Sequence, residues 1–219
     1  MNDIFNEVDE EVRRDKAVAF FNKHGTKFIV AAVAIVAGVA GWRFYQDQQF
    51  QQRAALGARF EAALVDANSG KIEALTGLAE DKVGGTYPAL AKFRLASELA
   101  RTGKDEAGAK NAASAFDALA NDSSIPADWR ELAKLRAAYA LLNTAPYEEI
   151  EKRLLPLSEG KAAFRHSARE GIAMAAYKAG KSDKALDALQ AIILDADAPA
   201  GLRQRAEVML SVVRAGAKS

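Results

Sequence analysis

Two histidines, His24 and His166, are the only ones in the 219 residues, and there is no cysteine. Histidine titrates near neutrality and is the commonest metal ligand, so these two are the first places to look for chemistry. They stand far apart in the sequence. His24 lies at the edge of a long apolar run, and His166 lies in a charged stretch beside Arg165 and Arg169. That placement gives one interfacial and one surface residue rather than one metal site. The acidic pairs Asp195/Asp197 and Glu148/Glu149 are expected to be helix-end charges, and Glu148 and Glu149 suit a helix N-terminus. Carboxylate catalysis needs a shaped cleft, which the sequence does not indicate. Gly180-Lys181-Ser182 has the ending of a P-loop. A P-loop also needs glycine five positions before Gly180, where Ala175 stands, and a strand upstream, where the pattern is helical. The tripeptide is expected to be a helix–helix turn with Ser182 as N-cap. Neither G-x-S-x-G nor H-E-x-x-H occurs. Asn121-Asp122-Ser123 fits a glycosylation sequon, a three-residue pattern that arises by chance. No catalytic, cofactor-binding or metal-ligating residue is assigned. The chain is expected to bind rather than to catalyse, with no cofactor and no small-molecule substrate.

Composition narrows the class. The absence of cysteine removes disulfides, zinc fingers, iron–sulfur sites, thiol nucleophiles and lipidated-cysteine anchors, and leaves the compartment open. Lysine and arginine number 30 against 29 acids, a formal charge of +1. No basic field exists to recruit nucleic acid. Half the residues are apolar, and much of that is alanine. Alanine is the best helix former and lets helices approach closely. No period-two alternation of β-branched residues stands outside the apolar run, so the expected fold is all-α.

The apolar run is Phe28–Trp42, FIVAAVAIVAGVAGW, fifteen residues without a charge. At helical rise it spans about 22 Å, and a bilayer core of about 30 Å asks for roughly twenty residues. Gly25 and Thr26 extend it on one side, Phe44 and Tyr45 on the other. Lys27 and Arg43 can snorkel to opposite interfaces. Phe20, Phe21, Trp42, Phe44 and Tyr45 resemble interfacial anchors. Gly38 and Gly41 lack GxxxG spacing and read as ordinary membrane-helix glycines. A buried core helix, a cleaved signal peptide and a membrane-surface helix are the competing readings, and the last fits poorly because the run has no polar face. Against the first stand the aromatic and basic flanks; against the second stands a long, acid-rich preceding segment. Arg13, Arg14, Lys16, Lys23 and Lys27 precede the run, while Arg43, Arg53 and Arg59 follow it. The bias points the N-terminus into the cytoplasm.

Three segments follow from this. Residues 1–24 form a cytoplasmic amphipathic tail with Ile4, Phe5, Val8 and Val12 on one stripe. Residues 25–45 form the transmembrane helix, and residues 46–219 form a periplasmic helical domain. In that domain the pattern predicts a helix over 46–68, ended by Asn68-Ser69-Gly70, and a short helix over 71–81 broken at Gly84-Gly85-Thr86. Further helices are expected from Pro88 to Arg101, 105–120, Pro126 to Asn143, Pro146 to Pro156, 161–179, 182–195, and from Pro199 to Ala215. Antiparallel pairs joined by short turns are the grammar of an α-solenoid. The clearest repeat runs Ile172, Ala173, Tyr177, Gly180, Ala185, Leu189, Ile192. Weaker copies run Leu95, Ala96, Leu99, Gly103, Ala112, Phe116, Leu119 and Leu132, Leu135, Tyr139, Tyr147, Ile150, Leu154. The first resembles a tetratricopeptide repeat, with small residues where helices touch and glycine at the turn. An ordinary helical bundle remains the alternative.

The order of segments, from MNDIFNEVDEEVRRDK through LAKFRLASELARTGK, WRELAKLRAAYALL and FRHSAREGIAMAAYKAGKSDKAL to PAGLRQRAEVML, carries a wider likeness. It resembles the bacterial ancillary SecYEG translocon subunit (YfgM-like) tetratricopeptide-like family, in its alphaproteobacterial form. The resemblance implies a single N-terminal transmembrane helix followed by a tetratricopeptide-like α-solenoid of antiparallel helix pairs. It implies a bacterial inner-membrane protein whose periplasmic domain contacts Sec translocon components and periplasmic chaperones. In tetratricopeptide arrays the first helix of each pair lines a groove. Transferred by position, the protein-binding candidates are Phe93, Ser97, Arg101, Ser167, Glu170, Met174, Tyr177 and Lys178. Two functions stand open: a tethered interaction scaffold for export or chaperone traffic, and a regulator whose tail sequesters a cytoplasmic response regulator.

Overall fold

A computed structural model of the protein describes residues 3–65, 70–81 and 86–216. Among the described residues all regular structure is helical, in nine helices. They fall into two compact units, Met1–Ala55 and Leu56–Ser219.

The first unit belongs to α1 (Asp3–Val65). The tail, the apolar run and the polar helix expected to continue it are one helix. No proline interrupts them, and isolated glycines cost only about 1 kcal/mol each against alanine. The side chains of Ile4, Phe5, Val8, Val12, Phe20 and Phe21 lie outside what the structure describes, as do residues Asn68-Ser69 and Gly84-Gly85 altogether. One stretch of α1 is long and apolar enough to cross a membrane, and none of it is buried. Phe28, Ile29, Val33, Ile35, Val36 and Val39 are all exposed. A core helix would be covered by its own protein.

The second unit is built from the end of α1 and from α2 (Gly70–Ala79), α3 (Thr86–Thr102), α4 (Glu106–Asn121), α5 (Ala127–Leu141), α6 (Tyr147–Ser158), α7 (Arg165–Lys178), α8 (Ser182–Ile193) and α9 (Ala200–Gly216). From α2 onward each helix packs on the next, and α5 touches α7 as α7 touches α9. Local chemistry sets the boundaries. Asp105 caps α4 by accepting the Gly108 N–H at 2.8 Å. Pro126 and Pro146 occupy the positions just before α5 and α6, where a missing N–H costs nothing. Glu148 and Glu149 fall in the first turn of α6, as the helix dipole favours.

Some boundaries differ from the sequence pattern. Ser182 is not the cap of α8. Lys181 holds the cap position without a side-chain bond, and Ser182 is already helical. The reason is the turn before it. Gly180 sits at φ +71°, and its N–H donates to the Tyr177 carbonyl at 3.0 Å while Lys181 N–H reaches the Ala176 carbonyl at 2.9 Å. This Schellman closure satisfies the α7 end and consumes Lys181. Gly180→Ala should therefore cost about 1 kcal/mol, because a Cβ is strained in the left-handed region. Urea titration reads it, and an unchanged midpoint would contradict the role. Pro156 lies inside α6, which continues to Ser158 because Leu154, Leu157 and Ser158 are buried. The chain at 161–164 is turn, and α7 begins only at Arg165.

The main core runs through α3 to α9, with Phe116, Ile150, Leu154, Leu189, Ile192 and Val213 fully enclosed. Alanines mark the tight crossings: Ala96, Ala112, Ala137, Ala173, Ala176 and Ala185 have no exposed surface. A smaller core joins Leu56 and Ala63 of α1 to Leu75 and Leu78 of α2 and Ala91 of α3. Phe93 bridges toward α4 and α5, with its ring 6.4 Å from Phe116 and edge-on to Trp129 at 5.7 Å.

Candidate protein-binding grooves

One groove is a cavity of about 770 Å³ between α7 and α9, lined also by Leu142 and Asn143. Helix α7 presents Glu170, Met174, Tyr177 and Lys178, and α9 presents Gln204, Arg205, Val208, Met209 and Val212. Met174, Tyr177, Val208 and Val212 are exposed although apolar. Exposed apolar side chains clustered in one groove mark an interaction surface, whereas single ones need no explanation.

Half-buried charge links the two walls. Asp195, in the turn after α8, receives Arg165 Nε at 3.1 Å and Arg169 Nη1 at 3.1 Å, both from α7. Arg203 of α9 donates to the carbonyls of Asp195, Ala196 and Ala198. His166 is not at the surface as expected. It is buried, with Nε2 2.9 Å from Asp195 Oδ2 but out of line for a hydrogen bond. Position in a charged stretch misleads here, because those charges turn inward onto one carboxylate. Asp195 is thus a hub rather than a simple helix-end charge. The Arg165 bond, with the Asp197 N–H and Arg169, holds its carboxyl well below the usual carboxylate range. Across the groove Arg205 Nε bonds Glu170 Oε1 at 2.8 Å, which raises the Arg205 pKa. Tyr139 of α5 donates to the Ser167 carbonyl at 2.8 Å. Burial pushes that phenol up. Lys178 Nζ donates to the Asn143 carbonyl.

The pH consequence has a definite sign. A carboxylate with a lowered folded pKa stabilises fully above the ordinary carboxylate range, near pH 4, and loses that contribution as pH falls below it. Asp195→Asn should weaken the α7–α9 packing at neutral pH and flatten the loss of stability below about pH 4. Acid titrations of both proteins followed by circular dichroism check this. Identical pH slopes would refute it.

Of the eight residues expected to bind, seven are distributed over three places. Glu170, Met174, Tyr177 and Lys178 line the α7–α9 groove. Phe93 and Ser97 line a smaller cavity between α3 and α5, and Ser97 also joins Arg101 in a third. Ser167 lines none of them; its carbonyl is taken by Tyr139. The α9 wall was missed. Its signal is that α9 carries apolar residues on more than one face, although only Ala206 and Val213 are fully buried. Also missed was Glu98, buried in α3 and bonded by Arg101 Nε at 2.7 Å, with Arg94 at 3.0 Å and Lys71 at 3.4 Å. The Arg101 bond keeps its pKa low. Among the described residues no group of three or more His, Asp or Glu side chains is placed to hold a metal.

Helix pairs in series, alanine crossings and a glycine-closed turn at α7–α8 match one known architecture. The family model of the tetratricopeptide repeat-like domain covers residues 18–214, nearly the whole chain. The chain belongs to that family. No curated protein and no solved structure matches it. Membership accounts for the helix pairs. In a tetratricopeptide repeat-like domain each pair buries one face only against its neighbours, and the open face is left for partners. The α7–α9 groove is a face of the array with exposed apolar side chains.

Proposed function

We propose that the protein is a membrane-anchored interaction scaffold of the bacterial inner membrane, with its N-terminus cytoplasmic and its helical array periplasmic, serving the Sec translocon and periplasmic chaperones. The observation that carries the reading is one chain joining an uncovered apolar helix to a tetratricopeptide repeat-like array. Lys27 and Arg43 at the ends of the apolar run, and the excess of basic residues before it, support the orientation. The exposed Met174, Tyr177, Val208 and Val212 supply apolar contact area for a client segment. Tethering raises the effective concentration of such a module beside its partner, so a weak groove suffices for transient capture. The role is binding, and no reaction is assigned to it.

Crosslinking in intact membranes, with a photoreactive residue at Val208, tests the reading. Recovery of Sec components or periplasmic chaperones is the expected result. Recovery of cytoplasmic proteins alone would overturn it. A reporter fused after Ser219 and active only in the periplasm tests the topology. A reporter that stayed silent there, with the protein intact, would place the array in the cytoplasm.

A further inference from the structure

Helix α9 packs on α8 and α7, with Ala206 and Val213 buried on that side. The opposite face is exposed along Gly201, Gln204, Val208, Ser211, Val212 and Ala215. Spacings of three and four residues are those of a helix-pairing seam. Val208 and Val212 give this seam an apolar middle. Gly201, Ser211 and Ala215 are small enough for a second helix axis to approach to about 8 Å. One edge of the seam carries Glu207 and Arg214, both exposed and two turns apart, about 10 Å along the axis. Neither has an ion-pair partner among the described residues. Arg203, one turn before Glu207, is spent on the carbonyls of Asp195, Ala196 and Ala198. No acid stands one turn from Arg214 in the sequence.

The order of these charges is self-complementary. A second α9 laid antiparallel on the first, with the two-fold axis between Leu210 and Ser211, brings residues equally far from that point level with one another. Each Glu207 then meets Arg214 of the other copy, and each Val208 lies beside Val212 of the other copy. A two-fold axis across an antiparallel pair keeps like edges together, so the acid and the base stand on the same side. We propose that this face of α9 docks a second copy of the same chain, with the valines closing its middle and two reciprocal Glu207–Arg214 pairs setting its register. An apolar stripe alone fits many partners. An acid and a base placed symmetrically about an apolar centre fit the inverted image of the same helix. A lipid surface would favour basic residues beside the stripe and gains nothing from Glu207. Ion pairs at such a rim add little affinity and much selectivity, because like charges brought together there repel. The proposal goes beyond client capture and does not require it. Val208 and Val212 also line the α7–α9 groove, so pairing and capture draw on the same two valines. Glu207 and Arg214 do not line that groove, which lets pairing be tested by itself.

The chain has no cysteine, so a single Ser211→Cys beside the axis reports pairing by disulfide formation, facing Cα atoms there being within disulfide reach. The full chain in excess detergent is oxidised with copper phenanthroline and read on a non-reducing gel. Ser211→Cys should crosslink to a dimer about tenfold faster than Ser123→Cys, because paired copies hold the two thiols at a high effective concentration. Ser123 is an exposed control in the turn between α4 and α5. Adding Glu207→Arg or Arg214→Glu to the Ser211→Cys chain should slow crosslinking about tenfold, since attraction is lost and repulsion is gained at both edges. Mixing these two charge variants should restore the rate, because the mixed pair again sets acid against base twice. All of these positions are exposed, so circular dichroism should not change. Equal crosslinking at Ser211 and Ser123 overturns the proposal. So does a Glu207→Arg chain that pairs as fast as its parent, or a mixture that stays slow. Photocrosslinking from Val208 keeps the two readings apart. Clients recovered without pairing at Ser211 would leave the client reading standing and end this one, and pairing without clients would do the reverse.

Discussion

Gly108→Ala is expected to lower the stability of the helical array by about 3 kcal/mol, at the upper end of overpacking costs. A Cβ built on Gly108 stands 2.3 Å from the Gly103 Cα, and one on Gly103 stands 2.6 Å from the Gly108 Cα. Both obstacles are backbone, so no side-chain rotation relieves them. The turn between α3 and α4 must open instead, and the Asp105 cap on Gly108 N–H lies within it. Opening that turn moves Phe116, which is fully enclosed, and through it the α3–α5 cavities. Gly77→Ala supplies the control. Gly77 is an exposed residue inside α2 with nothing within 4 Å of its added Cβ. That change should be neutral or stabilise by up to about 1 kcal/mol. In a domain of this size 3 kcal/mol corresponds to a fall in Tm of about 10 °C. Equal midpoints for the two variants in urea would show that the close approach is unimportant.

The larger effect is expected in the apolar helix. Val33→Asp combined with Val36→Asp places two carboxylates near the middle of the run. Each costs about 2.5–3.5 kcal/mol at the centre of a membrane helix. Together they shift membrane partitioning by about four orders of magnitude. On the proposed anchoring, the wild-type protein resists alkaline carbonate extraction and the double variant washes into the supernatant. Both residues are exposed, so their replacement removes no packing contact within the protein. The array's own cores lie within residues 56–219, and its far-ultraviolet signal and thermal midpoint should persist. A wild-type protein that itself washes off would end the anchoring proposal. A double variant retained as firmly as the wild type would show that something other than this helix holds the protein to membranes.

The two experiments probe different forces. The Gly103–Gly108 contact is a matter of atomic exclusion, insensitive to solvent. The valine positions are governed by the cost of a charge in hydrocarbon. The Asp195 hub obeys a third rule, in which one carboxylate serves two half-buried arginines and that contribution is lost when acid protonates it.

The sequence by itself determined the helices, because alanine content, proline positions and the three-to-four-residue apolar period are local properties. It determined the apolar run, since fifteen uncharged residues are legible as such. It also determined the helix-pair grammar: Gly180, Ala173 and Ala185 have their turn and contact roles from residue size alone. The fusion of three segments into α1 was decided otherwise, because a polar stretch following an apolar one changes the environment of a helix and not its backbone. Only the tertiary structure decided which charges face inward. His166, Arg165 and Arg169 look like a solvated face in sequence, and become an interior cluster because Asp195 is brought to them from α8's far end. The grooves were decided there too. Met174 and Tyr177 acquire Val208 and Val212 as opposite wall, and Arg136 and Lys104 come to line one cavity, only once alternate helices are laid side by side. Such pairings depend on packing between distant segments, which no local period encodes.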